Sequence, residues 1–208
     1  MSIDLLIPVK ELQRAKSRLL LPTIVSHAKT SLVLAMLTDV LQAAIAAPRT
    51  GRVVVVTPDA VVAAVAQRCG ASVLREGPSM GLNESISRAV DAQSHRAAIG
   101  ILLADLPCLR SEELDEDLLA AAEHDRVVCP DRNGNGTVFL GLGRRPDVYT
   151  TVFGRGSYAR HSEAGFRTVL TRSIRSRHDV DTYRDLLTAR TFGLGPTTAD
   201  WCTRFVPR

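Results

Sequence analysis

Apolar residues along the chain fall into short β-branched runs separated by longer amphipathic stretches. Ile3–Val9 and Arg52–Thr57 (RVVVVT) read as strands, because they are brief, apolar and bounded by polar or turn residues. Ala71–Glu76, Ala98–Asp105 (AIGILLAD) and Val127–Pro130 read the same way. Between them, residues from about Ala28 to Ala47 set Leu34, Leu37, Leu41 and Ile45 on one helical face, and Pro48 closes that helix. A second helix opens at Pro58 and ends at Gly70. A third spans Leu82 to about Gln93, and a fourth opens at Ser111 as N-cap with Glu112 and Glu113 in its first turn. This alternation predicts an α/β fold with a mostly parallel central sheet and helices on both faces. Beyond Asp131 it breaks down. TVFLGL and FRTVLTR read as added strands, and the tail Thr191–Arg208, with the sole Trp, as a segment packed on the surface or at an interface.

Length and charge narrow the picture. A chain of 208 residues is expected to form one domain spanning 1–208. At 45% hydrophobic and 23% charged it can bury a large core without staples. The net charge of +4 admits an anionic partner. With 5 Phe, 3 Tyr and 1 Trp, bases have few aromatic platforms on which to stack, so a nucleic-acid binder using the Arg172–Arg177 cluster ranks last. The N-terminus lacks a signal-peptide pattern. The longest apolar stretch, Ser31–Ala47, is interrupted by Thr38, Asp39 and Gln42 and is expected to fall short of a membrane span. Cys69, Cys108, Cys129 and Cys202 form no metal-binding spacing and are expected to be reduced thiols of a cytoplasmic protein.

In parallel sheets ligands bind beyond the carboxyl ends of the strands, and the chemically active residues cluster there. PVKELQRAKSRL (Pro8–Leu19) delivers Lys10, Arg14, Lys16 and Arg18 to a strand terminus, a cradle suited to polyphosphate. Solvated basic loops look the same, and the loop lacks the P-loop glycines. ILLADLP ends a buried strand in Asp105, a hard oxygen ligand suited to Mg²⁺, although a turn Asp is a common alternative. In RHDVDTYRDL a helix cap accounts for one of Asp179 and Asp181, and the other acid is free to complete a metal site with Asp105. PSMGLNES offers Gly81 for close backbone approach and Asn83 to read a base edge. PDRNGNGT and VFGRGSYARH each run a glycine-rich loop into a hydroxyl, Thr137 and Ser157, where backbone N–H groups can hold a small phosphate or carboxylate. Ser157 equally suits the N-cap of the helix carrying His161, which is expected to orient rather than catalyse.

Taken in order, PVKELQRAKSRL, GLNESI, ADLP, PDRNGNGT, FGRGSYARH and HDVDTYRDL resemble the guanylyltransferase family of deazaflavin-coenzyme biosynthesis, which includes 2-phospho-L-lactate and phosphoenolpyruvate guanylyltransferases. The resemblance covers Pro8 to Leu186. It implies a glycosyltransferase-A-like, Rossmann-like nucleotidyltransferase fold, GTP as donor, Mg²⁺ as metal, and a three-carbon phosphorylated acid as acceptor. On it, Lys16, Arg18 and Asp105 would be catalytic. Pro8, Val9, Lys10, Lys16, Gly81, Leu82 and Asn83 would bind the nucleotide. Thr137, Gly154 and Ser157 fall on acceptor positions, and Asp105 and Asp181 on metal positions. Two departures stand out: Val138 where the family has Asn, expected to alter the acceptor pocket, and Tyr183 where it often has Pro. Phosphoenolpyruvate, 2-phospho-L-lactate and 3-phosphoglycerate all remain open as acceptors. A molybdopterin or sugar-phosphate nucleotidyltransferase, or a non-catalytic nucleotide-binding module, are the alternative readings. The stretch Gly134–Arg155 is expected to supply edge strands for a homodimer, and an unstable product implies hand-off to a downstream transferase.

Overall fold

The β-branched runs assemble into one seven-stranded sheet in the computed structural model, which describes residues 2–13, 16, 19, 26–77, 80–93, 98–143, 152–170 and 173–206. In chain order the elements are β1 (Ile3–Pro8), α1 (Ser26–Ala46), β2 (Thr50–Thr57), α2 (Ala60–Arg68), β3 (Ser72–Arg75), α3 (Leu82–Asp91) and β4 (Ile99–Leu102). They continue as α4 (Ser111–Glu123), β5 (Arg126–Pro130), β6 (Thr137–Leu142), α5 (Ser157–Glu163), β7 (Arg167–Thr168), α6 (Tyr183–Phe192) and α7 (Pro196–Phe205). The strand order is β3-β2-β1-β4-β6-β5-β7. The pairs β1–β2, β1–β4, β2–β3 and β5–β7 are parallel, and β6 runs against both its neighbours.

The reversal of β6 matters for the site. Leu102 near the end of β4 lies opposite Phe139, and Pro130 at the end of β5 opposite Thr137. The start of β6 therefore sits at the same edge as the carboxyl ends of the parallel strands. Thr137 joins Asp105 and Asp131 there although its strand runs the other way.

Alternation along the strands loads both faces of the sheet. Leu5 and Ile7 of β1, with Val53 and Val55 of β2, pack in one cluster with residues of α1, α2, α4 and α7. Leu6, Val54, Val56, Ile99 and Ile101 point the other way and pack with Ile86, Ala89 and Val90 of α3. Each such side chain contributes about 1.5–3 kcal/mol on burial. Asp4, polar within an apolar run, accepts the Arg52 backbone N–H at 2.8 Å and pairs with its guanidinium.

Several local expectations are corrected. The residues Ala28–Ala46 have a mean hydropathy of 1.3 over a 19-residue stretch, which by length and composition is enough to cross a membrane. In the fold this helix packs against α2, α4, α7 and β2, with 61% of that window buried. Pro58 does not open α2. Asp59 is its N-cap, its Oδ1 accepting the N–H groups of Val61 and Val62. Ser111 is the first residue of α4 rather than its cap, which is Arg110. The described residues of FRTVLTR, Phe166–Leu170, contribute the two residues of β7. Among the described residues, the strand within Gly134–Arg155 is β6, which is interior, and the edges of the sheet are β3 and β7, so β6 is not the edge strand expected for a dimer; residues 144–151 lie outside the described residues. The C-terminal segment forms α7, strapped to α1 by Asp39, whose carboxylate accepts the N–H groups of Thr197 at 2.9 Å and Thr198 at 2.8 Å. Trp201 Nε1 adds a bond to Ser31 Oγ at 2.8 Å. All four cysteines are free thiols.

Candidate functional site

Three carboxylates converge beyond the end of β4. Asp105 follows the strand, and its carbonyl oxygen accepts the N–H of Val180 at 3.1 Å. Val180 is wholly buried, and the acids on either side of it, Asp179 and Asp181, meet Asp105. Ligand atoms of the three acids lie within 4.8 Å of one another. Thr182, not Asp181, caps α6, in a reciprocal capping box with Asp185. Helix capping therefore consumes neither Asp179 nor Asp181.

Lys16 enters this cluster from the loop after β1. Its Nζ donates to Asp105 Oδ2 and, at 2.6 Å, to Asp181 Oδ1. Its backbone is left-handed, with φ 53°, a conformation costing a non-glycine residue about 1–2 kcal/mol. Burial alone would lower its pKa. The two carboxylates outweigh burial and raise its pKa above the ordinary lysine value. Asp179 is pushed the other way. Burial first, then the charges of Asp105, Asp181 and Asp131, raise its pKa to about 7, with Lys16 opposing them.

The donor set fits a hard divalent cation such as Mg²⁺: three carboxylates, one of whose oxygens, Asp105 Oδ1, is buried without a hydrogen-bond partner among the described residues. Such an atom is costly unless something binds it.

A cleft of about 290 Å³ lies alongside, lined by Pro8, Val9 and Lys10 from the end of β1, by Pro58 and Glu76, and by Gly81, Leu82 and Ser85 at the start of α3. Five of the seven residues expected to bind the nucleotide line it: Pro8, Val9, Lys10, Gly81 and Leu82. Lys16 reaches the acid cluster instead. Asn83 turns its amide to the backbone of Phe153, accepting its N–H at 2.8 Å and donating to its carbonyl at 3.1 Å. Arg14 and Arg18 lie outside the described residues. Asp59, another acid at a strand end, is structural. Besides capping α2, it accepts the Leu12 N–H at 3.0 Å and anchors the basic loop.

The residues at the expected acceptor positions are brought together. Ser157 Oγ donates to Thr137 Oγ1 at 3.1 Å, and the Ser157 N–H bonds to the Gly154 carbonyl at 3.0 Å. Thr137 Oγ1 also bonds His161 Nδ1 at 2.9 Å. Ser157 is therefore not a helix cap. That position is held by Gly156, at φ 72°, and the serine hydroxyl is spent inside the fold. Gly154, at φ 120°, adopts a backbone that only glycine takes easily, and with Arg155 it forms the exposed tip of the loop. His161 is almost wholly buried between Phe153 and Phe166, and burial, aided by the Arg160 charge, lowers its pKa to about 4. It is neutral at physiological pH.

Asp131, directly after the fifth apolar run, organises this part of the site. Its carboxylate accepts the N–H groups of Asn133 and Asn135, both at 2.9 Å, and of Gly136 at 2.6 Å, folding the loop that delivers Thr137. The spacing D-x-N-G-N-G carries the signal of such an Asp-anchored turn. Arg177 of the basic cluster donates to the Asp131 carbonyl and braces this loop. Val138, next to Thr137, is wholly buried within the hydrophobic core.

The sequence matches the family described as "Guanylyl transferase CofC like" over residues 3–205. It is 40% identical over 205 residues to a phosphoenolpyruvate guanylyltransferase of Mycolicibacterium gilvum, covering 95% of this chain and 93% of that protein. The corresponding protein of Streptomyces coelicolor is 37% identical over 210 residues, covering 99% and 98%. Among solved structures, one from Desulfovibrio desulfuricans described as a nucleotide-diphospho-sugar transferase superposes with a TM-score of 0.70 at 18% identity, covering 99% of both chains. A CMP:2-keto-3-deoxy-manno-octonic acid synthetase complexed with CTP gives 0.61 at 13% identity, covering 92% of this chain and 98% of that one. These two likenesses show the fold expected from the motifs.

Proposed function

The chain belongs to the family of CofC-like guanylyl transferases, and on that premise we propose that it transfers GMP from GTP to the phosphate of phosphoenolpyruvate with release of pyrophosphate. The observation that carries the reading is the three-carboxylate cluster engaged by Lys16, set beside a cleft lined by Lys10 and the start of α3. The names of the curated relatives favour phosphoenolpyruvate over 2-phospho-L-lactate and 3-phosphoglycerate.

In the reaction an acceptor phosphate oxygen attacks the α-phosphorus of GTP, an O–P bond forms, and the bond to the bridging oxygen of the β-phosphate breaks. A phosphomonoester carries about −1.5 to −2 charge near neutral pH, so the nucleophile arrives ionised and needs no general base. The difficulty is bringing two anions together. Mg²⁺ held by Asp105 and Asp181, with Asp179 as the third carboxylate, would supply positive charge at the reacting phosphates. Lys10 and Lys16, with Arg18, neutralise the departing pyrophosphate. Pro8, Val9, Gly81 and Leu82 shape the nucleotide cleft. The loops bearing Thr137, Gly154 and Ser157 hold the acceptor, with Arg132 and Arg155 as the nearby cations of those loops.

The reading extends to a place in deazaflavin-coenzyme biosynthesis, with hand-off of the product to a downstream transferase. Cytoplasmic action is supported by the four free thiols, and a homodimer is left for hydrodynamic measurement. The test is mass spectrometry of the products formed from GTP with each three-carbon phospho-acid in turn, alongside pyrophosphate release. Guanylated phosphoenolpyruvate is expected. GTP binding with no pyrophosphate from any acceptor would overturn the reading in favour of a non-catalytic module. Asp105→Asn should abolish turnover while leaving the fold intact, and Lys16→Ala should lower kcat more than GTP affinity.

A further inference from the structure

The side chain of Asn83 ties the two halves of this site together. It stands in the first turn of α3, next to Gly81 and Leu82, which line the cleft. Its amide closes two hydrogen bonds on the backbone of one residue 70 positions away, accepting the N–H of Phe153 at 2.8 Å and donating to its carbonyl at 3.1 Å. Phe153 is buried, and its ring meets that of His161 edge-on at 5.3 Å between centroids. His161 bonds Thr137 at 2.9 Å, and Thr137 bonds Ser157 at 3.1 Å. The residue after Phe153 is Gly154, the left-handed turn at the exposed tip of the acceptor loop.

A guanine edge would have to share the two amide atoms that the Phe153 backbone already engages and orients. An amide that both accepts from and donates to a single backbone unit copies the pairing of a neighbouring strand and fixes position and orientation together. We propose that Asn83 is a positioning residue for the acceptor: from the nucleotide side of the site it sets where the Phe153–Ser157 loop lies, and it does not read the base. The inference rests on the proposed reaction for its kinetic consequence, and on geometry alone for its structural one.

The test compares wild type with Asn83→Ala and Asn83→Asp. The aspartate can still accept from the Phe153 N–H but sets an oxygen against its carbonyl. Two lost hydrogen bonds should raise the KM for phosphoenolpyruvate about tenfold in Asn83→Ala. The dissociation constant of GTP measured by calorimetry without acceptor, and the preference for GTP over ITP and ATP, should stay within about twofold. Hydrogen–deuterium exchange should quicken across residues 152–158 while α3 keeps its protection, with Asn83→Asp intermediate. Collapse of the preference for GTP, or unchanged exchange across 152–158 in both variants, would overturn the proposal. Exchange and calorimetry need no turnover. If wild type guanylates no acceptor, the proposed function fails while these two arms still decide the role of Asn83.

Discussion

Replacing Lys16 with methionine should tighten divalent-cation binding to the nucleotide-free protein about tenfold. In the structure the ammonium already fills the role of a cation, donating to Asp105 and, at 2.6 Å, to Asp181. Hydrogen bonds to charged groups are worth about 1.5–3 kcal/mol each. Asp181 has about half of its side chain exposed, at 53%, so solvent screening puts its bond at the bottom of that range or below. Displacing Lys16 therefore costs a metal roughly 2–4 kcal/mol. Release of the left-handed backbone at φ 53° returns about 1–2 kcal/mol of that. The balance spans about 0–3 kcal/mol with a midpoint of about 1.5, which is near tenfold in affinity. Methionine keeps most of the apolar stem and removes the ammonium, with its charge and its two hydrogen bonds to the acids. Mn²⁺ serves as the probe, with the free aquo ion followed by electron paramagnetic resonance at neutral pH. Asp181→Asn, titrated in parallel, should weaken binding. Unchanged or weaker Mn²⁺ affinity in a folded Lys16→Met protein would refute the competition between ammonium and metal.

Other expectations follow from groups around the site. His161 has a folded pKa near 4, below the 6.5 of an unperturbed histidine, so the unfolded chain takes up the proton first as pH falls. Its contribution is complete above pH 6.5 and is lost between 6.5 and 4, at most about 3 kcal/mol; His161→Gln should flatten the fall in urea midpoint over that window. Asp131→Ala strips three backbone N–H groups of their acceptor, so it should lower the melting temperature and raise the acceptor KM with little change in GTP affinity. Asp39→Ala removes the acceptor for two N–H groups at the start of α7, costing about 1–2 kcal/mol. Limited proteolysis should then cut between α6 and α7, ahead of any cut in the sheet.

The sheet was legible because its central strands are buried on both faces, and burial on both faces writes continuous β-branched runs such as VVVV into the sequence. The acids were legible for a related reason: a carboxylate at the end of an apolar strand, as in LLAD, is conspicuous. What the sequence hid were partnerships across long separations. Nothing local to Asn83 announces Phe153, and nothing in the tail announces that Asp39 will cap α7. The tail does carry its own signal, with Gly195 and Pro196 at the helix start and Trp201 and Phe205 one turn apart. Ser157 looked like a cap because the capping residues are also the residues of polar networks, and only packing against Thr137 separates the two uses. The burial that lifts the pKa of Asp179 depends on three segments meeting and leaves no trace in the order of residues.

The placement of β6 also sets the order in which the molecule can assemble. The elements β1 to β3, with their intervening helices, close on one another through nearby stretches of chain, and β5–β6 is a hairpin. The seam β4–β6 has to join these two locally formed pieces, and β1–β4 spans nearly half the chain. Pairings of long sequence separation are slow because loop closure precedes any gain from contact. The half built on β1 to β3 can thus collapse while the chain beyond β4 is still being synthesised, and the acid cluster, which draws on Asp105, Asp179 and Asp181, is completed only once the later segment has reached the end of β4.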